Sequence, residues 1–570
     1  MQLPAERVPA HLRRFVVEQD YGQYNAVDQA VWRFVLLQTY SKLLETAHPA
    51  YREGLRQTGI SVERIPSIAE MNERLDRFGW AAVCVDGFIP PRAFQEFQAC
   101  GLLPIAADMR TREHLVYTPA PDIIHEAAGH APILPDAGYS AYLRRIGELG
   151  RRAFTLPEED RVFDAIHALS EIKEDPSATP AQLRAADAAL EVALSAVKRA
   201  SEAARLSRLY WWTAEYGLVG KVESYKIYGA GILSSLWESH ACHYPSVRKL
   251  PLDEGCLDVS YDITRPQPQL FVVRDFDALH ELLDRVERTS VEAQGGAVAL
   301  SAALQSQELC SVWLSSGAHA AGVLLEVGPS LAAPGWLRFD GRLRVSADVA
   351  SSEPAPELQG EAALLLTGKL ADGRSPSQLS PTVDGHRLSL RYASGAVVEG
   401  RLQRAVLRVD GRLSHLLLDD VRVALPGQAP LDLPEFALFA ADDVVTARAG
   451  AVDPSYYEQT EFARMRVPKP RVFSTRQQGL LDLYEAAAAA HRKGASAVRA
   501  EFPILHQAIE LSFPDEWLLR WNMLESLLKL NTGSALERTL VDDLERLELY
   551  FERKEPIASG LRYLSRLAAA

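Results

Sequence analysis

Apolar residues recur every three or four positions through most of the first half of the chain. Between residues 10 and 290 this spacing is seen, for example, at Val31, Val35, Leu36 and Tyr40. It places apolar side chains on one face of an α-helix. Residues 80–85, which precede an Asp86-Gly87 turn, and residues 270–273 instead favour short strands. We therefore predict a mainly helical region with few strands.

A charged, alanine-rich stretch occupies residues 151–209. Thr179 followed by Pro180 is typical of an N-cap and a first helical position. We expect a long helix to begin there, with apolar positions such as Leu183, Leu190 and Leu194 carrying the helical phase toward residue 210.

After residue 290 the pattern changes to alternating polar and apolar positions. Four Asp-Gly pairs, which favour tight hairpin turns, begin at Asp340, Asp372, Asp384 and Asp410. This alternation predicts an all-β module. From residue 475 the spacing is helical again, with an alanine run at 486–490 and a leucine-rich run at 536–567.

The chain has 570 residues, which is too long for one hydrophobic core. We predict a mainly α domain at residues 1–290 with a helical insertion at about 151–209. A β-rich domain at 291–460 and a helical C-terminal domain at 475–570 follow.

Composition narrows the class of protein. Hydrophobic residues make up 47% and charged residues 24%, as in soluble globular proteins. The net charge is -14, and no Lys/Arg-rich tract favours nucleic acid or an anionic membrane as partner. Five cysteines without a Cys-x-x-Cys motif fit a reducing compartment. With no signal peptide or bilayer-spanning stretch, we expect a cytoplasmic protein.

Two histidines, His125 and His130, flank Glu126 in an otherwise apolar helical segment. Among 14 histidines in 570 residues, such a pair arises by chance in about one chain of every three, so a packing role stays open. On a regular helix an offset of five turns the second ring about 140° from the first. The helix must therefore bend, for which Gly129 and Pro132 are candidates.

Two imidazoles and one carboxylate leave open positions on an octahedral ion, as in non-haem iron(II) oxygenases. Glu215 is the candidate third ligand, because it lies among bulky aromatic residues at 209–217 and coordination offsets the cost of burying a carboxylate. A glutamate on a solvated helix face fits the spacing equally well.

Three motifs, in this order, resemble those of the pterin-dependent aromatic amino acid hydroxylases. They are Tyr-Thr-Pro-Ala-Pro-Asp-Ile-Ile-His-Glu-Ala-Ala-Gly-His at 117–130, Tyr-Trp-Trp-Thr-Ala-Glu-Tyr-Gly at 210–217 and Tyr-Gly-Ala-Gly-Ile-Leu-Ser-Ser at 228–235. The similarity runs from about residue 20 to about residue 285. It implies a multidomain chain whose mainly α catalytic domain is of this family's type, followed by the all-β module and the helical tail.

By this resemblance iron is bound by His125, His130 and Glu215. The substrate's carboxylate pairs with Arg110, whose fork suits bidentate binding, and the remaining substrate residues are Thr118, Pro121, Trp211 and Ser234. Surface or packing roles for Arg110, Trp211 and Ser234 are the alternatives. Glu238 has an acidic counterpart in the family that could orient an iron-bound histidine, while a separate ligand set of Glu238, His240 and His243 has less support.

The pterin site is implied to lie near Gly87 and Ile89. Phe94 matches the family's pterin-stacking phenylalanine, although it also fits an ordinary apolar helix face. Glu126 faces the polar edge of the ring, and Tyr210 lies alongside.

The chain departs from the family in several places. Pro104 replaces a histidine that many relatives carry on the pterin side, and Ala120 replaces a glutamate. Glu215 follows His130 by 85 residues, about twice the usual interval, so residues 151–209 resemble an insertion.

The implied activity is that of a monooxygenase that hydroxylates the ring of a free aromatic amino acid. It uses iron(II), a tetrahydropterin such as tetrahydrobiopterin, and dioxygen as co-substrate. Trp211 and Ile263 favour phenylalanine, which gives tyrosine as in a phenylalanine 4-monooxygenase; tyrosine or tryptophan hydroxylation and 3-hydroxylation stay open. Pterin-recycling enzymes are indirect partners, and the C-terminal region is a candidate for self-association. A zinc hydrolase with Glu126 as base and a catalytically silent interaction protein are the rival hypotheses.

Overall fold

The computed structural model describes residues 7–85, 87, 89–115, 121–174, 178–263, 266–346, 356–379, 386–453, 473–550 and 555–569. Contacts group the chain into two compact units. Unit 1 comprises residues 1–147, 207–282 and 462–570, and unit 2 comprises residues 148–206 and 283–461. The division into three consecutive domains stays a prediction.

The first 290 residues are mainly helical, as the apolar spacing predicts. Their α-helices include Ala26–Thr46, Pro49–Thr58, Ile68–Leu75, Pro91–Ala99, Ala137–Arg152, Pro157–Glu174, Pro180–Ala196, Glu202–Tyr210, Ala230–Leu233, Glu238–Ala241 and Phe276–Arg288. The long helix Ala26–Thr46 begins with a capping box, in which Asn25 Oδ1 accepts hydrogen bonds from the N–H groups of Val27 and Asp28 while Asp28 accepts one from the Asn25 N–H. This helix buries Trp32, Phe34 and Val35 in unit 1.

Two small sheets position the site in unit 1. Ala81–Val85 pairs in parallel with Leu102–Ala106, and the other sheet has the order Ser224–Ile227, Leu218–Lys221, Gln269–Val273 and Arg248–Pro251. The predicted strands at 80–85 and 270–273 are confirmed. Leu102–Ala106 escaped prediction because it contains Pro104, which only an edge strand tolerates, and the other three strands escaped it because they are only four residues long.

Of the predicted insertion at 151–209, residues 151–206 belong to unit 2, and its described residues are mainly helical. Thr179 caps the helix Pro180–Ala196 through a capping box with Gln182, as the Thr-Pro pair predicts. The prediction of one helix running toward residue 210 is wrong, because Val197 ends the first helix and Glu202 begins another. In the helix Pro180–Ala196, the side chains of Val192 and Leu194 are 69% and 54% exposed. These two apolar residues are therefore not buried against other described residues.

The prediction of strands directly after residue 290 is wrong for the helices Val291–Gln294 and Gly296–Ser306, but strands dominate unit 2 from residue 309 onward, as the alternating pattern predicts. They are Leu309–Leu314, His319–Pro329, Pro334–Ser346, Glu357–Gln359, Leu364–Leu366, Arg387–Arg391, Val397–Leu407, Leu413–Ala424, Leu431–Phe439 and Val444–Ala449. The first five and the last form a six-stranded sheet, and the other four form a second sheet. Leu337, Leu402 and Phe436 share one buried cluster, to which Phe154 of the insertion contributes.

The Asp-Gly pairs behave differently from one another. Gly411 closes a turn between two paired strands, with its N–H bonded to the Arg408 carbonyl at 2.9 Å. The turn predicted at Asp340 is wrong, because the strand Pro334–Ser346 continues through it and Gly341 takes a left-handed φ of 64° where the pairing shifts register. Asp384 lies outside the described residues.

Helices return near the C-terminus, as predicted. They are Thr475–Lys493, Ala495–Ser512, Trp517–Lys529, Leu536–Tyr550 and Glu555–Ala569. Within unit 1 they pack against the helix Ala26–Thr46, where the Phe34 ring makes edge-to-face contacts with Trp517 at 5.0 Å and Trp521 at 4.9 Å. No helix in the described part of the chain has the length and apolar character needed to cross a membrane.

Candidate metal and substrate site

The three predicted metal ligands converge in unit 1. The Nε2 atoms of His125 and His130 each lie 3.1 Å from a carboxylate oxygen of Glu215, one facing Oε2 and the other Oε1. The two imidazole rings are 5.1 Å apart and stand at 89° to each other. One ligand atom from each residue lies within 4.8 Å of the others, an arrangement able to hold a metal ion.

A widened helical turn brings the two histidines together. His125–His130 is a π-helical turn, whose hydrogen bonds join residues five apart, so such residues share a face. The bend expected at Gly129 and Pro132 is therefore the wrong explanation. Gly129 instead permits a close approach, since a Cβ there would lie 2.7 Å from the Ala230 carbonyl oxygen. Glu215 ends a second π turn, Trp211–Glu215.

A serine fixes the orientation of the first imidazole. The Ser234 hydroxyl donates to the Ala230 carbonyl at 2.7 Å and lies 3.1 Å from His125 Nδ1. Because its proton is already used, the hydroxyl accepts a hydrogen bond from Nδ1–H. This tautomer leaves the lone pair of His125 on Nε2, where a metal ion binds. Ser234, predicted to contact substrate, thus lies against the predicted metal ligand His125, and its contact with substrate stays a prediction.

Within the triad of His125, His130 and Glu215, the carboxylate shifts the pKa of His125, and both histidines shift the pKa of Glu215. Burial lowers the pKa of His125, but the Glu215 carboxylate outweighs burial and raises that pKa to about 9. Burial alone would raise the pKa of Glu215, yet the two histidines hold it well below its usual range. Without metal the site therefore keeps a carboxylate facing imidazoles, and this donor set suits a divalent cation.

Glu126 lies beside the triad with one oxygen unsatisfied. Its side chain is buried, and burial raises its pKa to about 8. Its Oε2 has no hydrogen-bond partner among the described residues. A buried polar atom without a partner is costly, so this carboxyl group fits a polar ligand such as the predicted pterin.

Arg110 is buried and paired. Its Nε and Nη2 atoms bond to the two carboxylate oxygens of Asp122 at 2.6 and 2.7 Å, and each side chain is 3% exposed. Asp122 also accepts a hydrogen bond from the His125 N–H at 3.2 Å. Arg110 is therefore no surface cation. Sequence reasoning missed Asp122, although an aspartate three residues before His125 is typical of a helix start.

Trp211 belongs to an aromatic stack. Its ring lies parallel to Tyr261 at 4.2 Å and 8°, and its Nε1 donates to Gln267 at 3.4 Å. Neither Tyr261 nor Gln267 was predicted, because no local pattern links them to Trp211. Pro121 is partly exposed at the start of the histidine turn. The predicted Thr118 lies outside the described residues.

The residues predicted for the pterin lie in two groups. Phe94 and Tyr210 meet edge to face at 5.7 Å, and the Tyr210 ring is 6.3 Å from His130. Gln98, which was not predicted, donates to the Tyr210 hydroxyl at 2.6 Å. Gly87 and Ile89 follow the strand Ala81–Val85, and Ile89 packs partly buried against the apolar cluster around that strand.

Glu238 lies in a different environment. Burial raises its pKa to about 7, while a hydrogen bond from the Gln267 backbone acts in the opposite direction. Since Ser234 supplies the contact to His125 Nδ1, orientation of a histidine by Glu238 stays a prediction. His243 pairs with Tyr225, whose hydroxyl lies 3.0 Å from Nδ1. Among the described residues, the set Glu238, His240 and His243 does not converge as metal ligands do.

A second group of a histidine and carboxylates lies in the C-terminal helices and was not predicted. It consists of His506, Glu510 and Asp543, and His506 Nε2 is 2.6 Å from Asp543 Oδ2. The fully buried guanidinium of Arg520 lies 2.9 Å from Glu510 and 3.4 Å from Asp543. This group therefore already contains a cation.

Comparison with known proteins identifies the family. The family profile of biopterin-dependent aromatic amino acid hydroxylases matches residues 19–153 and 180–292. A phenylalanine-4-hydroxylase from Ralstonia nicotianae is 30% identical over 270 residues, which cover 47% of this chain and 72% of the relative. The chain belongs to the biopterin-dependent aromatic amino acid hydroxylase family. The resemblance carried by the three motifs is confirmed.

Other members of this family show similar sequence identity and coverage. Phenylalanine-4-hydroxylase from Mesorhizobium japonicum is 26% identical over 49% of this chain and 86% of the relative. A crystal structure of the Chromobacterium violaceum enzyme with iron(III) and 7,8-dihydrobiopterin bound aligns at 26% identity and a TM-score of 0.37, covering 49% of this chain and 88% of that chain. The family match omits residues 154–179, which lie within the predicted insertion.

Proposed function

We propose that this family member hydroxylates free phenylalanine to tyrosine, using iron(II), a tetrahydropterin and dioxygen. The main support for this proposal is that two imidazole Nε2 atoms and the Glu215 carboxylate converge in a buried site. Two imidazoles and one carboxylate leave coordination positions open for other ligands, as non-haem iron oxygenases require. Several relatives are named phenylalanine-4-hydroxylase, which supports phenylalanine as substrate.

In this proposal the metal is held by His125, His130 and Glu215. When bound, iron(II) and the tetrahydropterin supply the reducing power by which dioxygen oxidises the aromatic ring. Ser234 keeps the His125 proton on Nδ1, so Nε2 stays available to the metal. Glu238 remains a proposed orienting residue for a ligand histidine.

Arg110 is proposed to hold the substrate's carboxylate. Asp122 accepts hydrogen bonds from Nε and Nη2 of the Arg110 guanidinium. These bonds fix the orientation of the remaining guanidinium N–H groups. A fixed head group places the ring at a defined distance from the metal, and such placement is a major source of catalysis. We propose Thr118, Pro121, Trp211 and Ser234 as the other substrate residues.

The stacked pair of Trp211 and Tyr261 supports an aromatic pocket that excludes water. On the pterin side we propose Gly87, Ile89, Phe94, Glu126 and Tyr210. Burial raises the pKa of Glu126 and so favours the protonated form of its carboxyl group. It can then donate one hydrogen bond and accept another at the polar edge of the pterin.

We also propose that the enzyme acts in the cytoplasm and depends indirectly on pterin-recycling enzymes. The free cysteines of the described chain, Cys84, Cys100, Cys242, Cys256 and Cys310, fit a reducing compartment. Self-association through the C-terminal region remains a proposal without a specific contact to support it. For the β-rich region we propose only a separate domain.

The test is direct. Protein purified without oxygen, loaded with iron(II) and given tetrahydrobiopterin, dioxygen and phenylalanine should form tyrosine, identified by chromatography against 3-hydroxyphenylalanine. Parallel assays with tyrosine and tryptophan should give a lower kcat/KM than phenylalanine. Absence of every hydroxylated product would refute the proposed function, and a higher kcat/KM for another amino acid would refute the choice of substrate.

One observation favours a second candidate, a zinc hydrolase. Glu126 has a pKa of about 8 beside the ligand set, within the range useful to a general base. If that hypothesis holds, the zinc-loaded protein hydrolyses ester or amide substrates and Glu126→Gln abolishes the reaction. If the oxygenase proposal holds, zinc-loaded protein is inactive and iron restores hydroxylation.

A further inference from the structure

A contact between distant parts of the chain reaches the substrate side of the site. Arg112 lies in a short turn, Arg112–His114, two residues after Arg110. Its Nη1 bonds to the carboxylate of Glu516, which stands 404 residues later in the C-terminal segment. Both residues belong to unit 1. Unit 1 thus links the C-terminal helices to the chain beside the proposed substrate-binding arginine.

Glu516 is held in one position by its surroundings. It is 2% exposed, and its Oε1 accepts hydrogen bonds from the Tyr484 hydroxyl at 2.7 Å and the Leu519 N–H at 3.2 Å. It is also the N-cap of the helix Trp517–Lys529. A buried carboxylate held from several sides is a fixed anchor, whereas the partner Arg112 is 29% exposed.

From Arg112 the connection continues through the backbone into the site. Arg110 presents both its backbone N–H and its guanidinium to Asp122, at 3.1 Å and 2.6 Å. Asp122 in turn accepts the N–H of His125, at the start of the metal-binding turn. A shift of the turn after Arg110 therefore acts directly on the guanidinium that we assign to the substrate's carboxylate.

We infer that Glu516 is a positioning residue for substrate binding, because through Arg112 it holds the turn that follows Arg110 and so keeps Arg110 against Asp122. This inference rests on the proposed function in one respect, the role of Arg110. The C-terminal helices then contribute to the affinity for the amino acid, although their described residues supply neither a metal ligand nor a predicted substrate contact.

The chain offers a matched control contact. Glu525 is 1% exposed and bonds to Arg33 on the helix Ala26–Thr46 at 2.5 Å. This pair also joins a buried C-terminal carboxylate to a partly exposed arginine of the N-terminal region, since the Arg33 side chain is 17% exposed. Arg33 is not among the residues that we assign to the site. Arg33→Gln therefore reports the effect of loosening the C-terminal helices in general.

The experiment compares Arg112→Gln, Glu516→Gln and Arg112→Lys with Arg33→Gln in the full chain loaded with iron(II). We expect Arg112→Gln and Glu516→Gln to raise the KM for phenylalanine about tenfold while kcat changes less than about twofold. Glu516→Gln keeps an acceptor for Tyr484 and the helix N-cap, so it serves if Arg112→Gln folds poorly. Arg112→Lys should recover most of the loss, and Arg33→Gln should lower Tm but leave the KM unchanged.

A second readout does not depend on turnover. Hydrogen exchange of backbone amides in residues 107–115 should become faster in Arg112→Gln and Glu516→Gln, but not in Arg33→Gln. Unchanged exchange and KM in the first two variants, or equal changes in the control, would overturn the inference. A wild-type protein that never hydroxylates an amino acid would refute the proposed function, whereas the exchange comparison would still decide whether Glu516 holds the turn.

Discussion

Among its described residues, unit 1 contains two groups of histidine and carboxylate side chains whose ligand atoms converge, and the groups differ in the positive partner of their carboxylates. In the first group the Glu215 carboxylate faces two imidazoles at 3.1 Å, and the nearby Arg110 is engaged by Asp122. In the second group the guanidinium of Arg520 lies within 3.4 Å of both carboxylates. The two groups therefore look alike as collections of ligand atoms but differ in their electrostatics.

The difference explains which group suits a metal ion. A buried carboxylate needs a positive partner, which can be a side chain or a bound ion. Arg520 fills that need in the second group and would repel a divalent cation there. In the first group the partners are imidazoles, whose Nε2 atoms can give up a proton and coordinate instead. Convergence of ligand atoms alone is thus a weak criterion, and the local charge balance decides.

The largest effect that separates the groups should come from removing a histidine of each. We expect His125→Ala to lower hydroxylation by more than about 100-fold and to lose iron, because removal of even a ligand's hydrogen-bonding partner costs about 10- to 100-fold. His506→Ala, the matched change in the second group, should keep iron content and turnover. Iron analysis and initial rates measure both. Loss of iron in the His506 variant would break the comparison.

Removal of the cation from the second group should affect stability and leave iron binding unchanged. We expect Arg520→Met to lower the free energy of unfolding by about 1–3 kcal/mol, because the buried Asp543 carboxylate and the Glu516 carbonyl each lose a fully buried cationic partner. Arg546 also contacts Glu510 and Asp543 but is 53% exposed, so Arg546→Met should cost at most about 1 kcal/mol. Urea unfolding followed by circular dichroism tests this order. Equal effects would show that exposure does not govern these contacts.

A smaller effect should come from the hydrogen bond behind His125. Ser234→Ala removes the acceptor for Nδ1–H, and we expect the affinity for iron(II) to fall about 10- to 100-fold. Ser239→Ala is the control, since Ser239 is also buried and donates to the Leu236 carbonyl at 3.1 Å. Competition with a chelator measures both affinities. An unchanged affinity in Ser234→Ala would argue that the histidine needs no orienting partner.

The remaining effect is a dependence of metal-free stability on pH. The pKa of His125 rises from 6.5 to about 9 in the folded chain, and that of Glu126 rises from 4.5 to about 8. Each group therefore stabilises the fold below its unfolded pKa, and this stability is lost as the pH rises through the folded value. Tm of the metal-free protein should fall between pH 5 and pH 9, over the interval that these values define.

Metal loading and Glu126→Gln should each reduce that slope. Because a bound metal requires neutral His125, metal binding removes the contribution of His125 to the pH dependence. Glutamine at position 126 cannot titrate, so it removes the contribution of Glu126. Scanning calorimetry at several pH values measures the slopes. A metal-free Tm that rises over this range would mean that the site does not carry the charges described for it.

Local sequence predicted the three side chains that converge but not the groups that arrange them. The motifs around His125 and Glu215 are short and continuous, and the helical spacing around them is strong. Asp122 lies in the motif at 117–130 and Ser234 in the motif at 228–235, yet their hydrogen bonds to Arg110 and His125 depend on how these segments pack. Glu516 is 404 residues from Arg112 along the chain, and no periodic pattern marks such a pair.

The secondary structure shows the same limit. The long helix Ala26–Thr46 was predictable from its apolar residues at helical spacing, although the helix is buried on several faces. The π turn His125–His130 was not, because its five-residue hydrogen bonding differs from the regular helix that the spacing implies. The paired strand Leu218–Lys221 is short and gains stability from partners elsewhere in the chain.

The order of segments within unit 1 has a consequence for how the protein is made. Glu516 leaves the ribosome 301 residues after Glu215, which at about 5–20 residues per second takes roughly 15–60 s. During that interval the nascent chain already contains the three proposed metal ligands, while Arg112 still lacks its carboxylate partner. Under the proposed function, the residues that hold the metal are therefore synthesised well before the contact that positions the amino-acid pocket.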